Sequence, residues 1–524
     1  MPRLDPFSRL AAVFCLAAGL LAAPPVLAQE ATQAPAATQS EGARGASGGD
    51  ESLGEEVLGE PVTATHGPDV AGDHPPGAPH LDGGELNLLW AVPFAGILLS
   101  IALMPLLAGR FWHHHFGKIA AFWALAFVVP FALVYGFGLT LYEVMHALIL
   151  EYVPFIILLF SLFTVTGGVR VITTLQGTPA FNTGLLALGT LLASWMGTTG
   201  AAMALIRPML RANAWRRNRT HVVVFFIFLV ANIGGSLTPL GDPPLFLGFL
   251  KGVPFFWPTV HLFPPMLVAA FVLLAVFYVL DLFMMRRETG VMPRPEGRHS
   301  MRLQGKVNLL LLLGIVASVL LSGIWKPGIT FEIYHVEIAI QNVARDLLLL
   351  AVAGLSLWLT PWETREANDF SWFPIMEVAK LFAAIFVTII PAIAILKAGT
   401  HGSLAPIVNG VSTPSGDPIP AMYFWATGIL SSFLDNAPTY LVFFNTAGGD
   451  PLHLIGPYAT TLLAISAGAV FMGANTYIGN APNFMVRAIA EESGTQMPSF
   501  FGYMAWSLGF LIPVFLLITW LFFL

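Results

Sequence analysis

The chain has 524 residues, of which 56% are hydrophobic and only 10% charged, and its mean hydropathy is +0.74. Soluble globular chains carry about 25% charged residues, so a soluble domain is excluded and a polytopic membrane protein is indicated. The net charge of −6 is unevenly placed: residues 30–85 hold eleven acidic side chains against one basic one, Arg44, whereas 86–524 carry a net +3.

Residues 1–28 read as a secretory signal. Arg3 and Arg9 precede an apolar run over 10–23, and Val26-Leu27-Ala28 supplies a small-residue cleavage site. The only cysteine, Cys15, falls in this segment, which leaves the mature protein without a disulfide or a cysteine-ligated metal. Residues 29–85 are rich in Ala, Gly, Pro, Glu, Ser and Thr. Such a composition buries too little apolar surface to offset the entropy of ordering, so this segment is expected to be a disordered acidic periplasmic tail. Its His66, Asp69, Asp73, His74, His80 and Asp82 match no metal-site spacing.

Apolar windows mark spans near 88–108, 119–139, 145–167, 221–249, 259–284, 307–325, 347–360, 378–397, 456–490 and 502–523. Two further apolar stretches, 183–207 and 421–445, have polar centres at Ser194-Trp195-Met196-Gly197-Thr198-Thr199-Gly200 and Ser431-Ser432-Phe433-Leu434-Asp435-Asn436. Each half of these is too short to cross a hydrocarbon core of about 30 Å, so both read as re-entrant hairpins. With the mature N-terminus outside, Arg110 and Lys118 fall in the cytoplasm, and residues 140–151, with Glu143 and Glu151, in the periplasm. Treating 183–207 as a full span would put Arg207, Arg211, Arg216, Arg217 and Arg219 outside, against the positive-inside rule. The loop 285–306, with six basic and two acidic residues, also comes out cytoplasmic.

The fourth span is interrupted by Ala231-Asn232-Ile233-Gly234-Gly235-Ser236-Leu237-Thr238-Pro239-Leu240-Gly241-Asp242-Pro243-Pro244. Glycine and proline at this density break a helix. Broken helices at membrane depth survive only in protein or beside a watery cavity, and secondary transporters bind substrate at such breaks.

The two halves repeat. Ser194 and Ser432 stand 238 residues apart, as do Thr238 and Thr476. At that offset 235–244 faces 473–482 with both glycines, the threonine and the last proline identical, and Asp242 faces Asn480. Each half then holds three spans, a hairpin, a broken span and a final span. Five full crossings per half insert the second half upside down, the signature of an inverted-topology repeat. The expected organisation is signal 1–28, tail 29–85, repeat 86–285, basic linker 286–306 and repeat 307–524. The fold class is all-α, with about ten transmembrane helices and two re-entrant hairpins.

At these motifs the chain resembles the ion transporter superfamily, which includes citrate carriers, arsenite pumps and sodium/proton antiporters of the NhaD type. The strongest likeness is Gly-Gly-Ser-Leu-Thr-Pro-Leu-Gly-Asp at 234–242, and Asp435-Asn436 is similar to the antiporters' Asp-Asn pair. Those antiporters carry Asp-Asn in the first hairpin too, where this chain has Gly197-Thr198. The resemblance covers 88–524 and implies a non-enzymatic transporter that forms homodimers.

Asp242 and Asp435 are the carboxylates inside the proposed midplane region, and intramembrane charges by default mark an ion or proton path. Sodium suits oxygen ligands. Asn232, Ser236, Thr238, Gly241 and Asp242 supply them in the first half, beside Ser194 and Thr198 at the hairpin tip. Ser432, Asp435, Asn436, Asn475, Thr476, Asn480 and Asn483 do so in the second. Because burial disfavours the charged form of a carboxylate, sodium and a proton can compete for one site at Asp242 and Asp435. The expected function is sodium/proton antiport across a bacterial-type inner membrane, with Na⁺ and H⁺ as cargo and no cofactor. The alternative is a sodium- or proton-coupled carrier of citrate or another organic anion, whose charge two carboxylates would repel unless cations offset it. The partners are the lipid bilayer and a small ion or anion, with no nucleic acid. His113-His114-His115 point around a helix rather than to one face, which argues against a metal centre. Glu377, Lys380 and Lys397 are expected to snorkel at the ends of one span.

Overall fold

The structure is a computed structural model that describes residues 79, 81–290 and 301–524. The signal segment, the tail up to residue 78 and the linker residues 291–300 lie outside the described residues.

The chain is a nearly all-helical polytopic membrane protein. Its first half comprises α1 (Val92–Leu107), α2 (Gly109–Tyr135), α3 (Phe137–Thr166), α4 (Pro179–Met196), α5 (Thr198–Ala212), α6 (Thr220–Leu229), α7 (Pro243–Leu250) and α8 (Trp257–Arg286). The second comprises α9 (Val307–Ile324), α10 (Ile340–Leu359), α11 (Phe373–Thr388), α12 (Ile390–Lys397), α13 (Pro420–Phe433), α14 (Asn436–Thr446), α15 (Ala459–Met472), α16 (Ala481–Glu492) and α17 (Phe500–Phe522). Among the described residues eight helices are long and apolar enough to cross a membrane, or nine when α11 and α12, bent by 41°, count as one. The ninth expected span, at 456–490, falls short of that length because its break divides it into α15 and α16.

Burial sorts these helices. Residues 220–237, apolar on every side, are 94% buried, whereas the corresponding window of α2 is only 17% buried. A helix that is hydrophobic all round belongs inside, so α6 with its break, and likewise α15, sit at the centre. Leu133, Phe271, Leu347 and Leu508 on the outer helices are exposed, an apolar girdle of the kind a bilayer covers.

Three expectations need correction, and two short ribbons join the helices. The second span begins at Gly109, not 119, because residues 110–118 are polar but still helical. Residues 140–151 form no loop: α3 runs through them with a π turn at Ala147–Tyr152, and Glu151 is neutralised by Lys251 at 2.5 Å. The end of the tail is ordered, since Gly83–Glu85 form a turn capped by Asp82 and Gly83 lies against the Ala394 carbonyl of α12. Two short antiparallel ribbons also occur: β1 (Arg170–Thr173) pairs with β2 (Met301–Gln304), and β3 (Thr330–Ile333) with β4 (Val336–Ala339). The first ribbon places Arg170 and the end of the basic linker on one side of the molecule.

The ends of the first hairpin meet. Gly177 N–H donates to Ala212 O at 2.8 Å, and the amides of Asn182 and Asn213 exchange hydrogen bonds of 3.0 and 2.8 Å. A chain that enters at α4 and leaves at α5 therefore returns to where it began.

Candidate functional site

Each broken span is held open by its hairpin tip. After α6 the backbone leaves helical geometry at Asn232, forms a tight turn over Ile233–Leu237, and is extended at Thr238 and Asp242 before α7. The freed groups find partners on the tip. Ser194 Oγ donates to Gly234 O at 2.5 Å and accepts from Leu237 N–H at 2.9 Å, while Thr238 Oγ1 donates to Ser194 O. Thr198 N–H donates to Gly241 O at 2.9 Å. The tip itself turns at Gly197, whose φ of +78° suits glycine.

The second half repeats this pattern at the same offset. Ser432 Oγ donates to Met472 O at 3.0 Å and accepts from Asn475 Nδ2 at 2.9 Å, and Thr476 Oγ1 donates to Ser432 O. Helices α5 and α14 start 238 residues apart, and so do α7 and α16. The two-feature offset seen in the sequence thus extends to helix starts and hydrogen bonds.

Close backbone approach explains one glycine in particular. A Cβ at Gly241 would lie 2.1 Å from Gly235 O, where the chain crosses itself. Gly241→Ala is expected to cost about 1–3 kcal/mol through overpacking, read as a lower melting midpoint in detergent. An unchanged midpoint would show that this crossing has slack.

The halves meet at Asp242, which is fully buried. Its Oδ1 accepts from Thr198 Oγ1 and Asn480 Nδ2, both at 3.2 Å, and its Oδ2 accepts from Asn436 Nδ2. Asn480 is the residue that faces Asp242 in the repeat, so the two equivalent positions bond to each other. Behind them Asn232 Nδ2 donates to Asn483 Oδ1 at 2.7 Å, and Asn483 Nδ2 donates to Gly473 O and Thr476 O at 2.9 Å each.

A cavity of about 530 Å³ opens onto this cluster. Of the fourteen sequence candidates, Thr198, Gly241, Asp242, Asp435, Asn436 and Asn480 line it. Ser194, Asn232, Thr238, Ser432, Asn475, Thr476 and Asn483 lie behind it and brace the breaks. Ser236 turns back onto Ile233 O at 2.9 Å. Asp435 caps α14 by accepting from Ala437 N–H at 3.1 Å. Among the candidates, two buried amide oxygens, Asn436 Oδ1 and Asn475 Oδ1, accept no hydrogen bond from a described residue. Buried acceptors are rarely left so, and the first belongs to a residue of the cavity wall.

No lysine or arginine lines the cavity among the described residues, but Trp112, His113, Thr166, Thr199, Glu377 and Tyr477, all outside the candidate set, bring polar side chains to it. Glu377, expected among the snorkelling ends, instead sits one turn inside α11 and faces the cavity. The histidine run does point several ways. His113 packs on Phe373 at 4.4 Å, whereas His114 and His115 bond back to the carbonyls of Arg110 and Phe111.

The family model CitMHS_2, described as "Putative citrate transport", matches residues 83–523. The chain belongs to this transporter family. No curated protein matches it. The matched region starts within the ordered turn at Gly83–Glu85 and leaves the acidic tail outside, so in this member of the citrate-transport family the helical body alone carries the likeness.

Proposed function

We propose that the protein is a secondary active transporter of a bacterial-type inner membrane that exchanges sodium for protons at Asp242 and Asp435. The observation that carries this reading is a cavity with both aspartates and the unpaired Asn436 oxygen in its wall and, among the described residues, no lysine or arginine beside them. Oxygen donors without a fixed cation suit a hard monovalent ion, and a proton can take its place on the same carboxylate. Thr198, Asn436 and Asn480 hold Asp242 in position. In this reading the two halves are inverted repeats that rock about the hairpin tips, with the mature N-terminus periplasmic. Homodimers follow from the superfamily resemblance.

The family's description supports a second reading, coupled transport of citrate or another organic anion. The cavity is also within the 300–1,000 Å³ typical of small-molecule sites. A tricarboxylate there would need sodium ions between itself and the two aspartates. Reconstituted protein in proteoliposomes with an internal pH dye separates the readings. The exchange reading expects proton release on a sodium pulse without citrate, and no uptake of labelled citrate. Citrate uptake without a proton response to sodium alone would replace it with the second.

A further inference from the structure

A cation bound for Asp242 must first cross a cavity whose wall is mostly aliphatic and aromatic, including Leu158, Leu162, Phe246 and Phe382. An ion loses much of its solvation advantage beside such a surface. One carboxylate interrupts it away from the aspartates: Glu377, on the first turns of α11 and across from the start of α2. Trp112 Nε1 donates to Glu377 Oε1 at 3.3 Å. Trp112 is itself buried, so the carboxylate is held at a fixed place in the wall.

Two basic side chains lie near it. His113 faces the same cavity from α2 but packs on Phe373. Lys380, one turn along α11, lies over the Phe116 ring at 5.5 Å, and it does not line the cavity.

Resting on the exchange reading, we infer that Glu377 is a way station for the transported cation, binding it at the mouth on the side of Arg110 and Lys118 before it reaches Asp242 and Asp435. A fixed negative charge in a low-dielectric cleft concentrates counter-ions by about tenfold or more. Its effect therefore belongs in the apparent affinity from one face of the membrane rather than in the turnover of the loaded site. The same charge disfavours an anionic substrate at that mouth.

The test compares sodium-dependent proton flux in everted and right-side-out vesicles, normalised to protein in the membrane, for wild type, Glu377→Gln, Glu377→Asp and Trp112→Phe. Glu377→Gln is expected to raise the sodium KM about three- to tenfold from the mouth side. It should leave the KM from the opposite face and the rate at saturating sodium as they were. Glu377→Asp should recover part of the affinity, and Trp112→Phe, which keeps the charge, should change it little. An unchanged KM on both faces, an equal change on both, or a lost maximal rate with KM intact overturns the inference while exchange itself stands. Wild-type vesicles that release no protons on sodium addition overturn both.

Discussion

Asp242→Asn is expected to abolish sodium-driven proton release. Removing a charge from a buried, hydrogen-bonded site costs roughly 2–5 kcal/mol of interaction. At about tenfold per 1.4 kcal/mol, flux at a fixed sodium concentration falls by about thirtyfold to several thousandfold. The substitution has a second consequence. All three partners of Asp242, the Thr198 hydroxyl and the Asn436 and Asn480 amides, donate to it. An amide –NH₂ in place of one carboxylate oxygen sets donor against donor, for a further penalty of about 1–3 kcal/mol in stability.

Ligand-linked stabilisation separates lost function from lost fold. Sodium at about 100 times its Kd stabilises the wild-type protein by ~2.7 kcal/mol, and this shift in melting midpoint should vanish in Asp242→Asn even where the variant stays folded. Asp435→Asn is the cleaner companion. Its side chain caps α14 through a single acceptor bond to Ala437 N–H, and asparagine caps as well as aspartate. The variant should therefore melt like wild type while its sodium affinity falls. Two variants that fold, keep the sodium-dependent shift and exchange at the wild-type rate would remove both aspartates from the site.

Much of this arrangement is legible in the chain because the physics that breaks a helix is local. Glycines and prolines over 231–244 mark the break without reference to anything else, and the 238-residue offset ties it to 473–483. That the facing residues Asp242 and Asn480 touch is not legible, since spacing gives correspondence and not proximity. The errors share a cause. Hydropathy reports solvent, not backbone, so the polar residues 110–118 and the acidic 140–151 looked like loops although both are helical. Glu377 looked like a rim residue for the same reason: nothing in α11 reveals that α2 closes over it with Trp112.

The other large effect is expected far from the cavity, at Asp281. Its Oδ1 lies 2.5 Å from Arg216 Nη2 and accepts from His221 Nε2 at 2.8 Å, and its Oδ2 accepts from Asn182 Nδ2 at 2.9 Å. The Asp281 and Arg216 side chains have no solvent exposure. Arg216 also donates to Asn213 Oδ1 at 3.2 Å, which brings in the far end of the hairpin. The cluster thus fastens α4, the end of α5, the start of α6 and α8 at one point, the base on which the first hairpin stands. Breaking a buried pair from one side leaves an uncompensated charge, at about 3–5 kcal/mol. Asp281→Asn should lower the melting midpoint accordingly, and Arg216→Met should do the same from the other side. Replacing both, Asp281→Leu with Arg216→Met, removes the stranded charge and should recover most of the loss, since apolar substitutes for buried ion pairs are often neutral or stabilising. The second half supplies the control: the position 238 residues after Asp281 is Thr519, held by a neutral bond from Trp425 Nε1 at 3.0 Å. Thr519→Val there removes that bond and the hydroxyl's own bond to Phe515 O at 2.8 Å, both neutral, and should cost only about 1–2 kcal/mol. If Asp281→Asn melts no lower than Thr519→Val, or the double variant is as unstable as the sum of its parts, the charge at the hairpin base is not what fastens it.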